Sequence, residues 1–425
     1  MTGLGAYAAV LRTPSVGYLL GASIIARANQ GVMTLSLLLL VTRHHDYTAA
    51  GVVMGCLIGG AMVAGPLLGR LADRIGRRRV LLCFSVLSTS ATIALALVPP
   101  VLGLMAGLAL VCGLTVPPIT SAVKSALPAL VGPGDRITVL AAEATLQELI
   151  FIFGPPVAGL LAAVGGPALA LIAGGLVSLA GMIAYVSDPR AEAGRRPPAT
   201  PDVPGTDAAA GDAAPSGRLP QLLPMVGVGA GLGVGLSVTN IAIVALVSGG
   251  NQASTASGIA LACTSVGSLI GGFLLGARPS WARSAPVHLT AMAVLPPLFP
   301  VAPRWAVLGV LLVAFGMTIA PAMTVFNTQV SLLAPPGRST EIFGWVGSAV
   351  TAGFGMGSVI GGAVVDRASP AAGFLTASAA LLLGAAAASA FDRPPFWRRR
   401  SGASPTDPRT HPRGRAVREA APPHR

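Results

Sequence analysis

Three ionisable side chains lie inside long apolar runs: Arg27 in the first run, and Glu143 and Glu148 in the fifth. In hydrocarbon each costs at least ~2.5–3.5 kcal/mol, so each needs a partner, a wet cavity or a role. Ser23, Arg27, Gln30 and Thr34 recur at steps of four, three and four, which draws one polar stripe down a helix and points it at a cavity. Arg27 lies about midway along its run, whereas Glu143 and Glu148 lie about a quarter and about halfway along theirs. Depth therefore pairs Arg27 with Glu148 and leaves Glu143 nearer water. Glu143 and Gln147 share a helix face, and Glu148 projects about 100° further round. A carboxylate that is desolvated in one state and paired with Arg27 in another would take up and release a proton. A permanent bridge that only fixes helix packing is the other reading, and both stay open.

The elements that must hold these charges follow from composition. The 425 residues are 53% hydrophobic and 10% charged, with 54 glycines and a mean hydropathy of +0.74. A membrane span needs ~20 apolar residues, and runs of that length recur along the whole chain, which excludes a soluble globule. Gly, Pro and charge breaks delimit twelve spans, at 15–42, 49–69, 79–99, 101–125, 138–164, 167–187, 221–248, 253–276, 285–302, 304–332, 340–364 and 371–391. Arg27 and Asn29 interrupt the first run, unlike a signal peptide, so it is expected to be retained. With the N-terminus inside, external loops hold Arg43, Arg304 and Arg367 while nearly all other loop Lys and Arg fall on the cytoplasmic side. Both termini are thus expected in the cytoplasm, in a plasma or inner membrane. The formal net charge of +13 is accounted for by this topology and by a basic tail without folded module or interleaved aromatics, which argues against nucleic acid. Cys56, Cys83, Cys112 and Cys263 lie within apolar runs, without metal-like spacing.

Four segments result: a six-helix bundle over 1–187, a disordered cytoplasmic linker over 188–220, a second six-helix bundle over 221–391 and a disordered basic tail over 392–425. The halves repeat. A shift of 207 lays Gly51, Gly60, Gly65 and Gly69 onto Gly258, Gly267, Gly272 and Gly276. A shift of 203 lays Gly113, Thr115 and Pro118 onto Gly316, Thr318 and Pro321, and Gly154 and Gly159 onto Gly357 and Gly362. Runs of matches at nearly one offset indicate a duplicated unit, and parallel repeats suit two halves rocking about a midplane site.

Between spans two and three, Gly69, Asp73, Arg74, Gly76, Arg77 and Arg78 fit a G-x-x-x-D-R-x-G-R-R loop. With twelve spans and a central linker, this resembles the major facilitator superfamily over residues 15 to 391. The resemblance implies an all-α fold of two pseudo-symmetric bundles. It further implies that Gly69 and Gly76 allow close approach and tight turning, and that Asp73 caps the cytoplasmic N-terminus of span eleven as a latch, a helix end that favours an anion. Pure positive-inside anchoring is the simpler reading for the arginines, but it gives an acid nothing. The second-half loop keeps Gly276 but has Ser280 where Asp73 would align, so any latch is asymmetric. In span five, Gly154, Pro155 and Gly159 resemble part of the antiporter motif of efflux-type members, although the upstream glycines are absent. Span four carries Thr115, Pro117 and Pro118 where many drug/proton antiporters of the family carry an arginine; Lys124 sits near its cytoplasmic end.

Further cavity candidates are Thr115 in span four, Ser237 and Asn240 in span seven, and Thr324 and Asn327 in span ten; Thr324 and Asn327 align with Ser121 and Lys124 across the repeat. These polar groups would hydrogen-bond in a mostly apolar cavity, or glue helices together. The five histidines are scattered, no nucleophile or metal constellation forms, and a phosphate-binding loop is missing, so neither an enzyme nor an ATP-driven pump is expected. The reading is a secondary transporter exporting a small amphiphilic organic compound, in exchange for protons. The alternatives are a facilitator or proton symporter importing a metabolite, and a transport-inactive scaffold or sensor. The implied partners are that substrate, protons and lipid, in a monomer with no cofactor or metal.

Overall fold

The computed structural model describes residues 13–132, 135–192, 219–247, 253–277, 285–333 and 339–389. Thirteen α-helices make up these residues, joined by short 3₁₀ turns. Span one is two helices, α1 (Pro14–Ala26) and α2 (Ala28–Thr42), broken at Arg27. Span two is α3 (Tyr47–Ile75) and span three is α4 (Arg77–Leu97). Span four divides into α5 (Leu102–Leu114) and α6 (Ile119–Ala126) across Pro117 and Pro118, whose rings cannot donate to the helical ladder. Spans five and six form one unit, α7 (Arg136–Ser187), which reverses at Gly166 with φ 85° and ψ 164°. The second half continues with α8 (Leu219–Val247), α9 (Ala253–Ala277), α10 (Ala285–Val294), α11 (Trp305–Leu333), α12 (Ser339–Arg367) and α13 (Pro370–Ser389). Among the described residues ten segments are long and apolar enough to cross a membrane, and the run from Ala285 to Leu298 is a shorter apolar helix. Dividing α7 at Gly166 completes twelve passes.

The duplicated glycines pack in duplicate. A Cβ on Gly60 of α3 would collide with the Leu110 carbonyl of α5, and one on Gly267 of α9 with the Val313 carbonyl of α11. Reciprocally, Gly113 abuts the Leu57 carbonyl and Gly316 the Thr264 carbonyl. Every partner is related to its counterpart by the sequence shifts of 207 and 203. The same symmetry governs the seam between bundles. Gly51 of α3 rests on the Ser358 carbonyl of α12, and Gly258 of α9 rests on the Pro155 carbonyl of α7.

That seam is closed along only part of its length. On α3 the face formed by Gly51, Gly55 and Ile58 touches α12 at Ser358, Val359 and Gly355. Among the described residues its helical continuation, Met62, Gly65 and Gly69, meets nothing comparable: Met62 is exposed, and no described atom lies within 4 Å of where a Cβ would stand on Gly65 or Gly69. On α12 the same is true of Gly347. The two bundles meet at the end opposite the chain termini and part toward the terminus end.

Two segment boundaries differ from the sequence reading. Residues 189–192, expected to begin a disordered linker, form a 3₁₀ turn, because Ala191 is buried with Leu81, Ile119 and Val123. The second bundle starts at Leu219. The remainder of the linker and the tail after Ser389 lie outside the described residues.

Candidate functional site

Arg27 occupies the break in span one, with φ −101° and ψ 1°. Its N–H donates to the Ile24 carbonyl and its carbonyl accepts from the Gln30 N–H, three-residue links in place of four-residue ones. Span six closes over the break: the Ser178 hydroxyl donates to the Ala26 carbonyl, and Gly181 lets its backbone approach the Ala26 amide. The guanidinium is 1% exposed. Nη1 donates to Glu143 Oε1 at 2.7 Å and to Gln147 Oε1 at 3.0 Å, Nη2 donates to Ser23 Oγ at 3.1 Å, and Nε donates to the Ser23 carbonyl at 3.1 Å. Glu143 is equally buried, and its second oxygen, Oε2, has no hydrogen-bond partner among the described residues.

The partner of Arg27 is therefore Glu143, not Glu148, and the register explains the difference. Gly31 packs against Ile150 and Gly154, so the Arg27 backbone, one turn earlier, is level with residues 146–150 of α7, as matching depth requires. The side chain then folds back along its own helix. Held by Ser23, four residues or ~6 Å nearer the terminus end, the guanidinium descends to the level of Glu143, five residues or ~7.5 Å below Glu148. Glu143 and Gln147 present one face to it, as their spacing requires. Glu148 is half-buried, and among the described residues it forms no ion pair.

The stripe of span one is thus divided. Ser23 is fully buried and committed to Arg27 and the Leu20 carbonyl, so it belongs to the bundle interior and not to a cavity wall. Gln30 is half-buried and Thr34 exposed. Ser237 is also removed from the cavity set: its hydroxyl pairs with that of Ser358 at 2.8 Å, joining α8 to α12. Thr115 is half-buried and its hydroxyl returns to the Val111 carbonyl at 2.7 Å. Asn240 is half-buried. Thr324 and Asn327 are exposed on α11, and so are Ser121 and Lys124 on α6, the positions to which the repeat relates them. These polar faces lie in the half where the bundles part.

In the span two to three loop, Gly76 has φ 108°, a conformation that favours glycine, and it ends α3 and starts α4 in a single residue. Among the described residues nothing lies within 4 Å of a Cβ on Gly69, so close approach to them is not made there. Arg77 Nη1 donates to the Ala191 carbonyl at 3.3 Å, and the Arg78 amide to Glu192 at 3.4 Å, which anchors the linker's first turn; Arg74 is exposed. The side chain of Asp73 and residues 334–338 lie outside the described residues, as does Ser280, so the expected cap on span eleven does too. In the span-five motif, Gly154 packs on Gly31, Pro155 carries the carbonyl that seats Gly258, and Gly159 is buried. Gly154 and Pro155 thus serve helix contacts.

Sequence reasoning missed Asp366. At the end of α12, its Oδ1 accepts from the Tyr47 amide at 3.0 Å, and its Oδ2 accepts from the Thr48 amide and from the Thr48 hydroxyl, the latter at 2.7 Å. The acid followed by Arg367 reads as an ordinary span end, and only the repeat hints otherwise, because Ala163 occupies the equivalent place in the first half.

Residues 19–220 match the family model of the Major Facilitator Superfamily. Among solved structures, the chain is similar to a nucleoside transporter, NupG. One structure, of a mutant of that transporter, is 15% identical, with a TM-score of 0.69 over 89% of this chain and 100% of that one. A second NupG structure is 17% identical, with a TM-score of 0.63 over 89% of this chain and 99% of that one. No curated protein sequence matches. The chain has the major facilitator fold, an all-α multi-pass membrane architecture of two pseudo-symmetric bundles. The family match covers just under half of the chain, and the structural likeness carries the fold across both bundles.

Proposed function

We propose that the protein is a secondary transporter which exports a small amphiphilic organic compound in exchange for protons, by alternating access, with both termini in the cytoplasm. The observation that carries the coupling is the unequal placement of two neighbouring carboxylates. Glu143 is locked to Arg27 at 2.7 Å, whereas Glu148, half-buried on the same span, has no cation beside it among the described residues. A bridge closed on every side of its cation fixes helix packing. An unpaired carboxylate in a membrane span is instead free to carry a proton or to meet a cationic group. This reading divides the two roles that the sequence left open: Arg27 and Glu143 are the permanent bridge, and Glu148 titrates.

The parted seam and the exposed polar faces of α6 and α11 support a cavity open to the cytoplasm in this conformation, with Gln30, Thr34, Thr115, Asn240, Thr324 and Asn327 as candidate lining. Gly154, Pro155 and Gly159 favour the efflux direction through their resemblance to the antiporter motif. The test is Glu148→Gln in proteoliposomes with imposed pH gradients of either sign. Export coupled through Glu148 predicts loss of gradient-driven accumulation with substrate exchange retained. Unchanged gradient dependence removes Glu148 from the mechanism, and accumulation driven by the opposite gradient makes the protein a symporter.

A further inference from the structure

The first three N–H groups of a helix have no partner within it. In α3 all three are satisfied, but from two sources. Asp46, the residue before the helix, accepts from the Ala49 amide at 2.8 Å. The Tyr47 and Thr48 amides are taken instead by Asp366, more than three hundred residues away at the end of α12 and in the other bundle. Thr48 adds its hydroxyl to the same carboxylate. Just inside this contact the backbones touch: a Cβ on Gly362 would collide with the Tyr47 carbonyl, and one on Gly51 with that of Ser358. One carboxylate thus caps a helix across the seam, at the end where the bundles are closed.

We propose that Asp366 is a latch that holds this end of the seam shut, and that it works in alternation with Asp73 at the other end. The proposal rests on the alternating-access reading above. α3 and α12 run antiparallel, so each end of the pair presents the N-terminus of one helix to the C-terminal turn of the other. Asp366 is one residue from the end of α12, and Asp73 is two from the end of α3. By spacing, Asp73 falls on the α3 face that runs through Gly51, Gly55, Ile58, Met62, Gly65 and Gly69, the face that touches α12 in its first half and stands free in its second. When the seam closes at the terminus end, that face brings Asp73 toward the start of α12, while Tyr47 and Thr48 lose Asp366 to water. The symmetric seam lacks both acids: the repeat places Ser280 where Asp73 would be and Ala163 where Asp366 would be. The two seams roll alike on their glycines, and only one is latched, at both of its ends. A helix dipole and two amide donors favour the carboxylate in each closed position.

The test places spin labels on His44→Cys and Ala368→Cys, both exposed and adjacent to the contact, after the four native cysteines are changed to serine. Distances are measured on the full chain in lipid nanodiscs at one pH without substrate, so the result does not depend on proton coupling or on Glu148. Asp366→Ala is expected to add a longer-distance population, raising the ratio of open to closed about tenfold. Asp366→Asn, which keeps one acceptor, shifts it less. Asp73→Ala shifts the ratio the other way. Asp46→Ala removes a cap of the same helix within its own bundle and leaves the distances alone. A distribution for Asp366→Ala equal to the parent's overturns the proposal, and so does an equal opening by Asp46→Ala, which makes the contact ordinary capping.

Discussion

The bridge between Arg27 and Glu143 makes a quantitative claim. Both groups are 1% exposed and 2.7 Å apart, so removing either leaves a charge stranded where water does not reach. In Glu143→Ala the guanidinium retains only neutral acceptors, Gln147 and Ser23. Breaking a buried pair costs about 3–5 kcal/mol, whereas replacing both members with apolar residues of similar volume is often neutral. For a bundle of this size, about 3 kcal/mol corresponds to a fall in Tm of roughly 6–12 °C. Thermal unfolding in detergent should therefore order the variants as follows. Glu143→Ala and Arg27→Met fall by about that amount, and Arg27→Met combined with Glu143→Leu recovers most of the loss. Glu143→Gln preserves an acceptor but not the charge, so it melts with Glu143→Ala and not with the parent. If Glu148 is the titrating group, as proposed above, variants that remain folded keep any response to a pH gradient. If Glu143→Ala melts like the parent, or the double variant is no better than the singles, the pair is not a closed bridge and the division of roles fails.

Two further outcomes follow from backbone geometry. Gly76→Ala forces a side chain into φ 108° and should cost about 1–3 kcal/mol, read as a lowered Tm. Gly60→Val and Gly267→Val drive side chains into equivalent carbonyls of α5 and α11, so each should destabilise by about 1–3 kcal/mol and by similar amounts. A large inequality between the two contradicts the structural equivalence of the halves.

The spans and the duplication were legible because hydrophobic length and glycine spacing are properties of backbone contact. Gly60 with Gly113 and Gly267 with Gly316 pack as the offsets suggest. That Arg27 meets span five was legible for the same reason: an intramembrane cation needs an acid, and few are present. Which acid it meets was not, since depth along a helix locates a Cα, whereas a guanidinium held by Ser23 sits a full turn from its own backbone. Ser23 and Ser237 read as cavity residues, because a serine facing water and one facing another polar side chain have the same sequence signature. For Asp366 the contrast with Ala163 across the repeat was the one hint, since an acid at a span end carries no sign of a helix N-terminus brought to it from the other bundle.

The reversal at Gly166 bears on how the chain enters a membrane. With one residue at φ 85° joining spans five and six, no polar loop separates them that could dwell outside while the first awaits the second. Span five carries two glutamates and is the poorer candidate to partition alone, and span six carries no charged residue. The expected outcome is that the pair crosses as a hairpin during biogenesis. Lengthening that turn with a glycosylatable insert should expose its first arm to lateral release before Arg27 is docked.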